Sequence, residues 1–270
     1  MKKYLVIGNP IEHSLSPKLH NYWIKNNSIN AIYEKQKLNE DEIESLILKV
    51  KKKELNGVNV TVPFKKKVIP YLDKLSLEAK STQSVNTIYL DNDTLVGHNT
   101  DTSGFELGIK NSRFQITNKK IFILGAGGVV PSIIFALNKM KVSEITISNR
   151  TKNRAESLKD YFKNLKIVDW GDIPEFDMII NATSVGLNED DQINIDLSKV
   201  GKNKFFYDII YNPKETNFLK TGKKMGNETE NGKLMFIYQA FTAFKVWHGV
   251  EPEINSEVIK LLDWWLELEF

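Results

Sequence analysis

Asn59, Thr61 and Lys65 are spaced for work on a small hydroxylated molecule. They lie in the stretch Gly57-Val-Asn-Val-Thr-Val-Pro-Phe-Lys65. Val58, Val60 and Val62 alternate with Asn59 and Thr61, which predicts a strand with valines on one face and the amide and hydroxyl on the other. Pro63 cannot donate to a sheet ladder and should end the strand. Phe64 then anchors the turn, and Lys65 leaves it as a cation on a flexible stem. The amide and hydroxyl can orient a polyol or hydroxy acid, and the ammonium can give or take a proton. The same spacing also fits an ordinary half-buried strand followed by the surface run Lys65 to Lys67.

Other polar groups sit where strands give way to helices. Ser16 before Pro17 reads as a helix start, with the serine hydroxyl capping free amides. Ser14 lies two residues upstream in the strand-to-helix loop, where ligands bind in open α/β sheets. Both serines equally fit a purely capping and turning role. Asn86 and Thr87 fall within a strand predicted over Ser84 to Leu90, paired with Thr94 to His98 through a turn at Asp91-Asn-Asp93. Asn99 or Thr100 caps the next helix and places Asp101 in its first turn, where the helix dipole by itself favours a carboxylate.

Farther on, the strand Ile121 to Leu124 runs into Gly125-Ala126-Gly127-Gly128 and a helix over Val129 to Met140. The strand Ile145 to Ser148 follows. Strand, glycine turn, helix and strand is the setting a dinucleotide site requires. Glycines let the backbone approach a pyrophosphate at the helix N-terminus. The second strand ends in Asn149-Arg150-Thr151, with Arg154 beyond, where an NAD site would place an acid. Two guanidinium groups four residues apart suit a phosphate and predict NADP. An exposed basic helix start is the alternative. Strands at Met178 to Asn181 and Phe205 to Asp208 end in polar loops carrying Thr183, Ile209 and Tyr211, candidates for the nicotinamide side.

Composition narrows the chemistry. The chain has 270 residues, 41% hydrophobic and 26% charged, with net charge +3. That is globular and long enough for one large or two ordinary domains. The lysine runs lack the interleaved aromatics of a nucleic-acid surface. With no cysteine, thiol nucleophiles, disulfides and thiolate metal sites are excluded. The four histidines show no metal-binding spacing. No run of eighteen apolar residues predicts a membrane span, and a cytoplasmic protein is expected.

Strands at Tyr4 to Ile7 and Ala31 to Leu38 flank a helix from Ser16 to about Asn27. An amphipathic helix over Asp41 to Lys53 places Ile43, Leu46, Ile47 and Val50 on one stripe. Strand-helix alternation predicts an α/β fold with parallel sheets. Linker-like stretches at Asn111 to Lys120 and Gly226 to Gly232 suggest two domains. Leu234 to Trp247 is apolar almost all round and therefore buried, yet holds Gln239, which needs polar partners. A last amphipathic helix runs from Glu257 to about Glu267 and carries Ile259, Leu262 and Trp265.

Taken together, these pieces resemble shikimate dehydrogenase. The resemblance rests on His13-Ser-Leu-Ser16-Pro17, Asn59-Val-Thr61-Val-Pro-Phe-Lys65, Val85-Asn86-Thr87, Asn99-Thr-Asp101, Gly125-Ala-Gly-Gly128, Asn149-Arg-Thr151 with Arg154, Asn181-Ala-Thr-Ser, Tyr211-Asn-Pro213 with Thr216, and Gln239-Ala240. It implies a substrate domain of residues 1–101 plus 233–270 and an inserted Rossmann-type NADP domain of residues 102–232. By resemblance, Lys65 and Asp101 are the catalytic pair. Ser14, Ser16, Asn59, Thr61, Asn86, Tyr211 and Gln239 hold the substrate. Gly125, Ala126, Gly127, Gly128, Asn149, Arg150, Thr151, Arg154, Thr183, Ile209 and Gly232 hold the cofactor. The implied reaction is reversible NADPH-dependent reduction of 3-dehydroshikimate to shikimate, in a monomer or homodimer without nucleic-acid or membrane partners. A quinate-accepting or NAD-using relative, a silent shikimate or NADP sensor and a folate-linked dehydrogenase are the competing readings. The chain departs from the family pattern at Gln83-Ser84, Thr102 and Val129-Val130-Pro131.

Overall fold

The computed structural model describes residues 1–112 and 114–263. The chain divides into two units, Met1–Gly104 with the chain from Ile237 on, and Phe105–Phe236.

In the first unit, β1 (Lys2–Gly8) leads into α1 (Ser16–Asn26), then β2 (Ala31–Lys37), α2 (Ile43–Lys51) and β3 (Gly57–Val60). Apolar spacing builds α2: Ile43, Leu46, Ile47 and Val50 are its buried residues. β3 is buried throughout. It ends at Val60, earlier than the alternation predicts. The Thr61 N–H bonds to the Ile7 carbonyl, and the Phe64 N–H turns back to the Thr61 carbonyl. Val62 therefore leaves the pleat and stands 61% exposed instead of joining the valine face, while Phe64 is buried as the anchor.

After β3 come β4 (Lys74–Leu75), α3 (Leu77–Thr82), β5 (Thr87–Asp91), β6 (Thr94–His98) and α4 (Thr100–Lys110). Asn92 and Asp93 both take positive φ, the conformation that a two-residue hairpin between right-twisted strands demands. Asn86 lies just before β5, not inside it. The sheet order is β2-β1-β3-β5-β6-β4. β1 pairs in parallel with β2 and β3, and β3 pairs antiparallel with β5.

The second unit holds β7 (Lys120–Leu124), α5 (Val130–Lys139), β8 (Glu144–Ser148), α6 (Lys152–Glu156) and β9 (Leu165–Val168). Next are β10 (Met178–Asn181), β11 (Phe205–Asp208), α7 (Asn217–Lys224) and β12 (Glu228–Glu230). β12 falls inside the stretch expected to be a linker, because its backbone pairs in parallel with β11. The order β9-β8-β7-β10-β11-β12 is that of a doubly wound dinucleotide fold, with its switch between β7 and β10. All five pairings are parallel, and buried side chains such as Phe122, Ile123, Ile179, Ile180 and Phe206 leave β7, β10 and β11 apolar on both faces.

Two helices complete the chain, α8 (Lys233–His248) and α9 (Ser256–Asp263). In the first unit, Gly57 admits the indole of Trp247 where any side chain would collide. Ile259 and Leu262 lie on α9, and the expected continuation to Glu267 with Trp265 lies outside the described residues. Among the described residues no helix is long and apolar enough to cross a membrane, and no group of three or more His, Cys, Asp or Glu residues could hold a metal.

Candidate active site and cofactor-binding edge

Lys65 and Asp101 meet in the first unit. Lys65 Nζ lies 2.5 Å from Asp101 Oδ2, and both side chains are largely shielded from water. Asp101 Oδ1 accepts from Asn86 Nδ2 at 2.9 Å, so both carboxylate oxygens are engaged. The Asn86 amide is held in turn. Its Oδ1 accepts from the Thr100 N–H at 2.7 Å and lies 3.1 Å from the hydroxyls of Thr87 and Thr100. Because a backbone N–H can only donate, this contact fixes which end of Asn86 faces Asp101.

Asn59 continues the network away from Lys65. Its Nδ2 donates to the Asn86 carbonyl and to Thr87 Oγ1, both at 3.0 Å. Its Oδ1 accepts from the Tyr33 hydroxyl at 2.6 Å. Both amide protons are therefore spent inside the protein, and only a lone pair of Oδ1 remains for any ligand. The patterning that singled out Asn59 could not show this, since Tyr33 comes from β2 and Thr87 from β5. Tyr33 is a polar member of this centre that the spacing arguments missed, and Thr87 and Thr100, read from the sequence only as a strand residue and a candidate cap, join it.

The serines are arranged differently from the capping expectation. Leu15, not Ser16, occupies the N-cap of α1, and Ser16 is already helical. The Ser16 N–H points to Ser14 Oγ at 3.4 Å, which leaves the Ser14 hydroxyl proton available to a ligand. Thr61 is half-buried beside β3, and its hydroxyl has no partner among the described residues. Gln239 lies half-buried on α8, in the first unit, whereas Tyr211 and Gly232 belong to the second.

Of the departures at Gln83, Ser84 and Thr102, the first two carry a local cost and the third is accommodated. Gln83 closes α3 with φ of 48°, a left-handed conformation that glycine adopts without strain. Ser84 Oγ is buried without a partner among the described residues. Thr102 donates its hydroxyl to the Asn99 carbonyl and its N–H to Asn99 Oδ1, which confirms Asn99 as the cap of α4. Asp101 keeps its place in the first turn.

In the second unit, the predicted cofactor residues gather at the carboxyl edge of the sheet. Gly125 has φ of +107°, and a Cβ there would meet the Ala182 carbonyl at 2.8 Å and Thr183 at 3.0 Å. Gly128 faces open space, and Gly127 almost so. The N–H groups of Ala126, Gly127, Gly128 and Val129 donate to no acceptor among the described residues, at the start of a ten-residue helix. Val130 is fully buried behind the turn, which fits the helix against the sheet without glycine. At the end of β8, Asn149 Nδ2 donates to the Thr151 carbonyl at 2.7 Å and shapes the turn. Arg150 and Arg154 are exposed with no side-chain partner among the described residues, whereas Lys152 is held by Asp169 at 2.6 Å. Free amides, open glycines and unpaired guanidinium groups fit a phosphorylated dinucleotide.

Two loops face the same edge. Thr183 hangs from Asn181 Oδ1, by its N–H at 3.1 Å and its hydroxyl at 2.7 Å. Gly232 packs so closely on Ile209 that no side chain fits between them. Tyr211 stacks on Phe236 at 4.7 Å, and burial pushes its phenol up to about 12. Asp208, buried at the end of β11, was not anticipated as a site residue, and burial raises its carboxyl above the usual range.

Comparison with known proteins accords with this geometry. The family model "Shikimate dehydrogenase substrate binding domain" matches residues 6–88, and "Shikimate / quinate 5-dehydrogenase" matches residues 108–216. Shikimate dehydrogenase (NADP(+)) of Pelagibacter ubique (strain HTCC1062) is 58% identical over 97% of this chain and 99% of its own length. A crystal structure of a shikimate dehydrogenase with NADP+ superposes with a TM-score of 0.91 at 35% identity, covering 97% of this chain and 95% of that one. The Thermus thermophilus shikimate 5-dehydrogenase with NADP(H) and shikimate gives 0.89 at 29% identity, covering 97% and 99%. With family models matching both units and a close relative aligned along nearly its whole length, this chain belongs to the shikimate dehydrogenase family.

Proposed function

We propose that the chain catalyses the reversible NADPH-dependent reduction of 3-dehydroshikimate to shikimate. The observation that carries the reading is the Lys65–Asp101 contact held in register by Asn86. When bound, the nicotinamide supplies or accepts the hydride. Reduction of a ketone builds negative charge on its oxygen, and Lys65 is the cation and proton source that meets that charge. Asp101 orients the lysine and, through its second oxygen, is itself oriented by Asn86. Ser14, Ser16, Thr61, Gln239 and Tyr211 are the remaining substrate contacts, and Asn59 acts on the substrate mainly by fixing Asn86 and Thr87.

Residues 1–101 with 233–270 hold the substrate and residues 102–232 hold NADP. The amides of Ala126 to Val129 receive the pyrophosphate. Asn149, Arg150, Thr151 and Arg154 receive the 2′-phosphate, and no acid stands at the end of β8 to select NAD. Thr183, Ile209 and Gly232 receive the nicotinamide end. The protein works in the cytoplasm on small molecules alone, as a monomer or homodimer.

The test is NADP+ reduction with shikimate, run beside quinate and NAD+. Turnover confined to shikimate with NADP+ supports the reading. Comparable turnover with quinate or NAD+ overturns the specificity, and no turnover by a folded, NADPH-binding protein points to a sensor.

A further inference from the structure

Asp208 is a buried carboxylate whose four contacts all come from uncharged donors. Asn181 Nδ2 lies 3.1 Å from each of its oxygens, the Ile210 N–H donates to Oδ1 at 3.0 Å, and the Thr216 hydroxyl donates to Oδ2 at 2.7 Å. Nothing in the proposed chemistry uses it. Its contacts nevertheless determine the orientation of Asn181. The Nδ2 group faces the carboxylate and the Val185 carbonyl at 3.0 Å, and both can only accept. The amide therefore cannot turn over, and Oδ1 is delivered to the N–H and hydroxyl of Thr183. Thr183 Oγ1 then receives the Val185 N–H at 3.1 Å.

The same carboxylate reaches the second loop. The Ile210 N–H bonds to it directly, the Ile209 N–H bonds to the Asn181 carbonyl at 3.1 Å, and the Gly232 N–H bonds to the Ile210 carbonyl at 3.1 Å. Thr216 joins the network to the start of α7, where its hydroxyl caps the Leu219 N–H. Both loops at the ends of β10 and β11 thus hang from one side chain.

We propose that Asp208 is a positioning residue that presets the Thr183 loop and the Ile209–Tyr211 loop, through Asn181 and Ile210, for the nicotinamide end of NADP. This rests on the reading that these loops receive the cofactor. The carboxylate touches neither cofactor nor substrate, and acts only by fixing the donors and acceptors of its neighbours.

The experiment uses the full chain and the nearly isosteric variant Asp208→Asn. Its single remaining oxygen can serve either the Ile210 N–H or the Thr216 hydroxyl but not both, and its NH₂ group lies beside Asn181 Nδ2, so the grip on Asn181, and through it on Thr183, is weakened. Expected without cofactor is roughly tenfold or faster hydrogen exchange at the Thr183 and Val185 amides, with β7 amides unchanged. NADPH affinity should fall about tenfold, while 2′,5′-ADP, which lacks the nicotinamide end, should bind as before. Equal loss of both ligands, or loss of neither, overturns the proposal. So does wild-type protein whose Thr183, Val185 and Ile210 amides exchange as freely as an open loop, a measurement that stands even if the variant does not fold. Wild-type protein that binds NADPH yet does not oxidise shikimate would sink the catalytic reading instead, and the exchange and affinity comparisons would still decide the role of Asp208.

Discussion

The Tyr33 hydroxyl donates to Asn59 Oδ1 at 2.6 Å, linking a strand with no catalytic motif to the centre of the polar network. Tyr33 is buried, is stacked on His20 with ring centroids 4.2 Å apart, and is clamped at its backbone N–H and C=O by the side chain of Asn21. Its ring cannot easily follow a change at Asn59. Tyr33→Phe leaves Asn59 Oδ1 buried without its donor and should lower stability by about 1–3 kcal/mol. Urea unfolding of the two proteins measures this, and an unchanged midpoint would show the bond to be dispensable.

Lys65 and Asp101 should behave as a kinetic pair. Lys65→Ala is expected to reduce kcat by roughly 100- to 10,000-fold with a smaller effect on the KM for shikimate. Asp101→Asn keeps the shape but removes the charge that orients the lysine, so kcat should also fall. Steady-state rates for both single variants and the double variant make the check. Strictly additive losses would argue against joint action.

The two arginines offer a cleaner electrostatic test because neither has a side-chain partner to lose among the described residues. Arg150→Ala and Arg154→Ala should each raise the KM for NADPH about tenfold, the loss of a charge-assisted hydrogen bond, and leave NADH turnover nearly unchanged. A parallel loss with both cofactors would place the arginines away from the 2′-phosphate.

Gly125 and Gly128 should part company. Gly125→Ala adds a Cβ against the Ala182 carbonyl in a positive-φ conformation and should destabilise the second unit. At Gly128 the added methyl meets no protein atom, so Gly128→Ala should melt like the parent yet bind NADPH several-fold more weakly. Calorimetric melting and a binding titration on both variants separate the two effects.

Acid sensitivity should trace to His20. Burial first, and nearby His248 second, push its pKa down to about 3, while the unfolded chain protonates near its ordinary value of about 6.5. A depressed folded value means the neutral ring stabilises the fold above pH 6.5 and that this contribution is lost as pH falls toward 3. Between pH 8 and pH 5 the loss from His20 alone is about 2 kcal/mol. Neither ring nitrogen has a hydrogen-bond partner among the described residues, so His20→Leu should flatten the pH dependence of urea unfolding without orphaning a polar group. The residual slope belongs partly to His248, whose pKa burial lowers to about 4.

Local spacing along the chain was enough to identify most elements and their kind. Period-two and period-3.6 patterns marked β3 and α2, and the glycine turn between β7 and α5 announced the second sheet. Asn149-Arg150-Thr151, with no acid at that position, pointed to NADP instead of NAD. These signals are carried by neighbours within a few residues. Which polar atoms remain for a ligand was settled instead by packing. Asn59 looked like a contact because alternation placed it on a polar face, but Tyr33 and Thr87 reach it from other strands and Thr87 and Asn86 absorb its protons. Ser16 looked like a cap until α1 began one residue early, and Val62 looked like part of the valine face until the chain turned at Thr61. Asp208 stood unremarked at the end of an apolar strand because its partners, Asn181 and Thr216, come from separate segments. Hydrogen-bond satisfaction is settled between distant segments once burial removes water, so spacing along the chain can nominate a polar residue without showing whether its atoms are free.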